Sequence, residues 1–344
     1  MSMAASGAAE ETVESMPALS VEKRQLRHCL AQLPRIQRSG QSAGFVHEHR
    51  KEREMINEEL NSLVPGRDFS RRTFVQTAVG SGFAAAVLPV AASTIKTDAQ
   101  GLEAGEVMIP VGDFKMPAYR AMPAGGKNLP VVLVISEIFG VHEHIADVAR
   151  RFAKLGYMAI APEMFVRQGD AGSYGEVAKL VAEVISKVPD EQVMADLDAS
   201  VAWAKTQGAD VSRLGVTGFC WGGRITWLYA AHNPAVKAGV AWYGRLVGNS
   251  TPLTPRHPVD VAGRIAGPVL GLYGGQDPGI PLDTVDKMKT ALNQGSAAAK
   301  RSEFHIYADA PHAFHADYRP SYRKDAAEDG WKRCTAWFKA NGLA

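Results

Sequence analysis

The sequence predicts an α/β protein, a mostly parallel, doubly wound sheet with helices on both faces. Three observations predict it. Apolar runs of strand length alternate with amphipathic helical stretches from about residue 105 onward. The first clear run, Val131–Ile135, reads VVLVI without a polar residue, as expected of a strand buried on both faces. One later run passes through a glycine-rich turn directly into a helix. Strands alternating with helices imply right-handed crossovers, and these cover both faces of one sheet.

The elements follow in order. After Val131–Ile135, the stretch His144–Leu155 carries Ile145, Val148, Phe152 and Leu155 at helical spacing, and Gly156 closes it. Tyr157–Pro162 reads as the next strand, stopped by its proline. Glu176–Lys187 and Glu191–Thr206 read as helices, the second ended by Gly208. Arg213–Phe219 is a strand and Trp221–His232 a helix. Ala238–Gly244, Pro268–Gly274 and Glu303–Tyr307 are later strands, and the chain closes with a helix near Tyr322–Ala340.

Composition narrows the function classes. The chain has 344 residues, 46% hydrophobic and 22% charged, which suits one large domain plus an extension. Lys+Arg 38 against Asp+Glu 36 leaves no basic excess for nucleic acid. Three cysteines exclude a disulfide scaffold and a Cys-rich zinc cluster.

The N-terminal part divides in two. Residues 1–66 form a polar extension without a strand run, read as disordered or as the product of a misplaced start, with Met55 as an internal alternative. Residues 67–92 have the layout of an export signal: Arg71-Arg72, Phe74, no charge after Arg72 until Lys96, and a small-residue end at Val90-Ala91-Ala92. The arginine pair resembles a twin-arginine signal, which implies the twin-arginine export machinery as a partner and a periplasmic or exported location; without a working signal the protein stays in the cytoplasm. The other reading is a buried Ala/Val-rich helix with a basic flank. Thr73–Ile95 is too mildly apolar for a permanent membrane span. The remaining domain is expected over 105–342.

The chemistry is sought at the carboxyl ends of the strands, where such sheets bind ligands. Gly218–Gly223 reads GFCWGG, directly after one strand and directly before a helix. A small-x-nucleophile-x-small turn is a nucleophile elbow, here with Cys220 where serine often stands. The bend is tight, so its flanks must lack bulk, and Gly218, Gly222 and Gly223 supply that room. The N-terminus of the following helix favours a thiolate, and the Trp221 amide is placed to help hold an oxyanion. The plain alternative is a small buried apolar cysteine in a glycine turn. Cys334 lies among apolar neighbours in the last helix and reads as buried and inert.

Asp277, in GGQD, follows the strand Pro268–Gly274, and His312, in APHAF, follows Glu303–Tyr307. Nucleophile, acid, histidine is the chain order of α/β-hydrolases. The histidine moves the proton and the aspartate fixes its tautomer. Alone, Asp277 reads equally as a turn residue and His312 as one histidine of ten. Glu137 follows the first core strand and reaches the same mouth, either to accept the thiol proton or to orient the cysteine; Ile138 offers a second oxyanion N–H. His142 and His144 lack the spacing and the third ligand of a metal site, so no metal is expected.

Four segments together, SEIFGVHEHIADVARRFAKLGYMAIAPEMF, GFCWGGR, GGQD and PHAFHADYRPSY, resemble the dienelactone hydrolase family, the carboxymethylenebutenolidases, over about residues 105–340. The resemblance implies an α/β-hydrolase fold, a Cys220–His312–Asp277 triad with Glu137 paired to the cysteine at rest, ring opening through an acyl-thioester, and no cofactor. It also implies two arginines on a substrate carboxylate. Arg167 matches the first; the second would fall at Ala316, and Arg319 stands three residues further on. The expected substrate is a small ester or lactone, anionic in character. A hydrolase of thioesters or amides, and a non-catalytic binding module, remain as alternatives on the same fold.

Overall fold

The computed structural model describes residues 94–343. The extension and the arginine-pair segment lie outside the described residues. Among the described residues, eight strands make one sheet: β1 (Leu102–Val111), β2 (Phe114–Pro123), β3 (Pro130–Ile135), β4 (Met158–Pro162), β5 (Asp210–Phe219), β6 (Val236–Trp242), β7 (Val269–Gly274) and β8 (Glu303–Tyr307). Their order is β1-β2-β4-β3-β5-β6-β7-β8. From β4 to β8 every neighbouring pair is parallel, while β1 and β2 join the β4 edge antiparallel.

The helices are α1 (Glu143–Lys154), α2 (Val177–Glu183), α3 (Asp190–Thr206), α4 (Trp221–His232), α5 (Pro258–Val261), α6 (Leu282–Asn293), α7 (Ala297–Lys300) and α8 (Lys324–Ala340). From β3 the chain steps through α1 to β4, then crosses back over β3 to β5 and continues outward. Right-handed crossovers running in opposite directions place helices on opposite faces. The reversal leaves a crevice between the carboxyl ends of β3 and β5, a topological switch point. All six residues of β3 are buried, as the unbroken apolar run requires.

Six strands and five helices read from the sequence are present, with ends shifted by a few residues. The hairpin β1–β2 was not among them, and the sheet begins at Leu102 rather than near residue 105. Gly105 and Pro110 in β1, and Pro117 in β2, hide the strand pattern, and prolines of this kind are tolerated near a sheet edge. A two-residue turn at Gly112-Asp113 joins the pair, with Gly112 at φ 56° and Val111 opposite Phe114. The expected helix over Glu176–Lys187 is shorter. It ends at Glu183 and continues as a 3₁₀ turn at Ile185–Lys187 just before Pro189, which cannot extend a helix. Among the described residues, no helix is long and apolar enough to cross a membrane.

Candidate active site

The turn after β5 is shaped by backbone approaches that only glycine permits. A Cβ on Gly218 would lie 2.2 Å from the Gly222 carbonyl oxygen, and one on Gly222 2.3 Å from the Ile135 oxygen. A Cβ on Gly223 would meet the Trp242 oxygen at 2.5 Å. The first turn of α4 is thereby wedged between the carboxyl ends of β3 and β6. Cys220 stands at the crest with φ 54° and ψ −112°, a conformation non-glycine residues rarely adopt. Its N–H donates to the Trp242 carbonyl at 3.0 Å, which ties the strained turn to the neighbouring strand.

His312 hydrogen-bonds the Cys220 side chain on one side. On the other, its Nδ1 lies 2.6 Å from Asp277 Oδ2. Asp277 is 4% exposed, and its second oxygen accepts from the Gly279 N–H at 2.9 Å. Both oxygens are thus held and the imidazole orientation is determined. Burial opposes charge on His312, but the Asp277 carboxylate and the Cys220 sulfur outweigh it and raise its pKa well above the ordinary histidine value. The Tyr243 ring packs edge-on against the imidazole, centroids 5.1 Å apart.

Glu137 is buried directly after β3. Its Oε2 accepts from the Tyr318 hydroxyl at 2.7 Å and from Arg319 Nη2 at 3.2 Å, and His142 Nε2 stands 3.9 Å away. Burial pushes the carboxyl toward protonation; the facing Arg319 guanidinium, with His142 and the Tyr318 hydroxyl, outweighs it, so the net shift is downward. Burial shifts His142 the other way, toward the neutral form. The cation opposite Glu137 at neutral pH is therefore Arg319. His144 hydrogen-bonds Asp317 at 3.0 Å and stands 3.4 Å from His315 Nδ1, behind this group.

A cavity of about 330 Å³ opens over the turn, and Cys220, Trp221, Ile138, Tyr243 and His312 all line it. As the first residue of α4, Trp221 carries an N–H with no partner inside the helix. Its ring packs against Phe165 at 4.8 Å. The two arginines expected at a substrate carboxylate make other contacts. Arg167 forks onto Asp196, with both N–O distances 2.7 Å, and its guanidinium lies 4.3 Å from the Phe114 ring centroid. Arg319 is 5% exposed and stacks over Phe139 while it holds Glu137. Neither lines the cavity.

The site also holds residues that sequence reasoning did not select. Tyr318 is Glu137's hydroxyl donor, and its only signal in the sequence was its place beside Arg319. Tyr243 reads from sequence as core and is fully buried there, and just after β6, at φ 38°, it also lines the cavity. Cys334 is buried in α8, where burial pushes its thiol far up, consistent with an inert cysteine.

A glycine-rich turn with Cys220 after β5, an aspartate after β7 and a histidine after β8, on a mostly parallel sheet, match the α/β-hydrolase fold. The profile of the dienelactone hydrolase family matches residues 116–342. The Methylorubrum extorquens protein named "Putative carboxymethylenebutenolidase" is 62% identical over 288 residues, covering 83% of this chain and 98% of its own. An Escherichia coli protein of the same name is 52% identical over 267 residues, covering 77% and 97%. The crystal structure of a Klebsiella pneumoniae protein named "Putative Dienelactone Hydrolase" superposes with TM-score 0.66 at 55% identity, covering 69% of this chain and 98% of that one. The chain belongs to the dienelactone hydrolase family and is a hydrolase of that type.

Proposed function

We propose that the protein cleaves carboxylic ester or lactone bonds through a Cys220–His312–Asp277 triad and an acyl-thioester on Cys220. The observation that carries this reading is the placement of His312 between Cys220 and Asp277. The Cys220 proton passes to His312, and the thiolate adds to the substrate carbonyl. The Trp221 and Ile138 amides hold the tetrahedral oxyanion. His312 returns its proton to the leaving oxygen as the C–O bond breaks. It then takes a proton from water, whose oxygen displaces sulfur from the acyl group, and Cys220 recovers its proton.

Glu137 is given the orienting role. The Glu137 carboxyl is shifted below its ordinary value with Oε2 engaged by Tyr318 and Arg319, whereas His312 is shifted up, so His312 is the better acceptor for the thiol proton. We also propose export of the folded protein through the Arg71-Arg72 segment, which fractionation of the native host tests: activity confined to the cytoplasm contradicts it. For the chemistry, the test is a panel of esters and lactones on wild type and Cys220→Ala. The proposal expects hydrolysis by the wild type alone; equal hydrolysis by both refutes it.

A further inference from the structure

We infer that the preferred substrate carries an apolar, uncharged acyl group, selected by the wall of Ile138, Val181, Ile185, Trp221 and Ile280. The inference rests on the ester-hydrolase reading and names its substrate class. Those residues make most of the cavity surface beside Cys220 apolar. Val177 and Leu180 of α2 pack into the core, while Val181 and Ile185, four residues apart, line the cavity. A carboxylate placed against that wall would lose its water without gaining a partner.

No arginine fork is offered there instead. The Arg167 guanidinium is closed onto both oxygens of Asp196, whose side chain is fully buried. Arg319 donates to Glu137 and is not among the residues lining the cavity. Two other arginines do line the cavity. Arg224 forks onto Asp190 with both distances 2.7 Å, and its remaining contacts go to the Arg256 carbonyl and to His257. Arg245 is exposed at the rim, where solvent screens its charge. At about 330 Å³ the cavity has room for roughly ten water-sized groups, enough for a short alkyl or single-ring acyl chain.

The test compares p-nitrophenyl esters from acetate to hexanoate with the mono-p-nitrophenyl ester of adipate, which matches hexanoate in length but ends in a carboxylate. The expected result is a rise in kcat/KM of roughly fourfold per methylene until the cavity fills. The adipate half-ester should be at least about tenfold poorer than the hexanoate ester. Val181→Lys should narrow or reverse that last ratio. Because the ratio is internal, loss of folded enzyme lowers both rates alike and leaves it unchanged. A flat chain-length series, a preference for the adipate half-ester in the wild type, or a ratio that Val181→Lys leaves unmoved overturns the inference. Turnover of no ester in either series overturns the ester-hydrolase reading as well, so the two failures are distinguishable.

Discussion

Arg319 and Glu137 meet as a buried ion pair, Nη2 to Oε2 3.2 Å, with each side chain 2% exposed. Removing one partner of such a pair strands the other charge in a dry site. Arg319→Met should therefore cost about 3–5 kcal/mol of stability, and adding Glu137→Gln should recover part of it. Urea unfolding of the two variants measures both.

The same pair makes an acid limb in stability. Arg319 holds the Glu137 pKa below that of the unfolded chain. A depressed carboxylate stabilises the fold above its unfolded pKa of about 4.3, and that contribution disappears as pH falls through the lower folded value. Wild-type stability should thus fall more steeply between roughly pH 5 and 3 than that of Glu137→Gln. Unfolding free energies across that range supply the comparison; parallel curves would remove Glu137 from the acid limb.

His312 works with the opposite sign. Its folded pKa is raised, so its contribution is fully present below the unfolded value of about 6.5 and is lost as pH rises through the folded one. Asp277→Asn removes the charge partner, so its destabilisation should be larger at pH 6 than at pH 9. The same variant should lower kcat on the order of 10²–10⁴-fold, because the imidazole loses its fixed tautomer. Stability and rate are measured on one preparation.

Gly222 is an exacting position in the turn. Its added Cβ would meet main-chain oxygens of Ile135 and Ser136, at 2.3 and 2.6 Å, and neither can swing aside. Gly222→Ala should cost about 3 kcal/mol or more, whereas Gly175→Ala, whose Cβ meets nothing within 4 Å, should be near neutral. Melting temperatures of the two variants decide it.

Much of this arrangement is legible in the sequence because local signals and global fold agree. Val131–Ile135 is apolar throughout because β3 is buried on both faces, and the glycines around Cys220 stand where backbone meets backbone. Asp277 and His312 are readable because each follows a strand that ends on the same sheet edge. The hairpin β1–β2 escapes because its prolines break the pattern that marks strands, and its edge position tolerates them. Arg167 follows β4, where a substrate anchor is expected; its pairing with Asp196, 29 residues on in α3, is announced by no local pattern, because it joins separate elements. Tyr318 escapes for the same reason, since only tertiary packing brings it to Glu137 across 181 residues.

The central claim is a covalent bond between Cys220 and the acyl group of the substrate. Rapid acid quench of the wild-type enzyme during turnover of a hexanoate ester, followed by peptide mass mapping, tests it most directly. A hexanoyl mass increment is expected on the peptide that contains Cys220, accumulating within one turnover and decaying as substrate runs out. Turnover with that peptide unmodified, or with the increment on another residue, would contradict it.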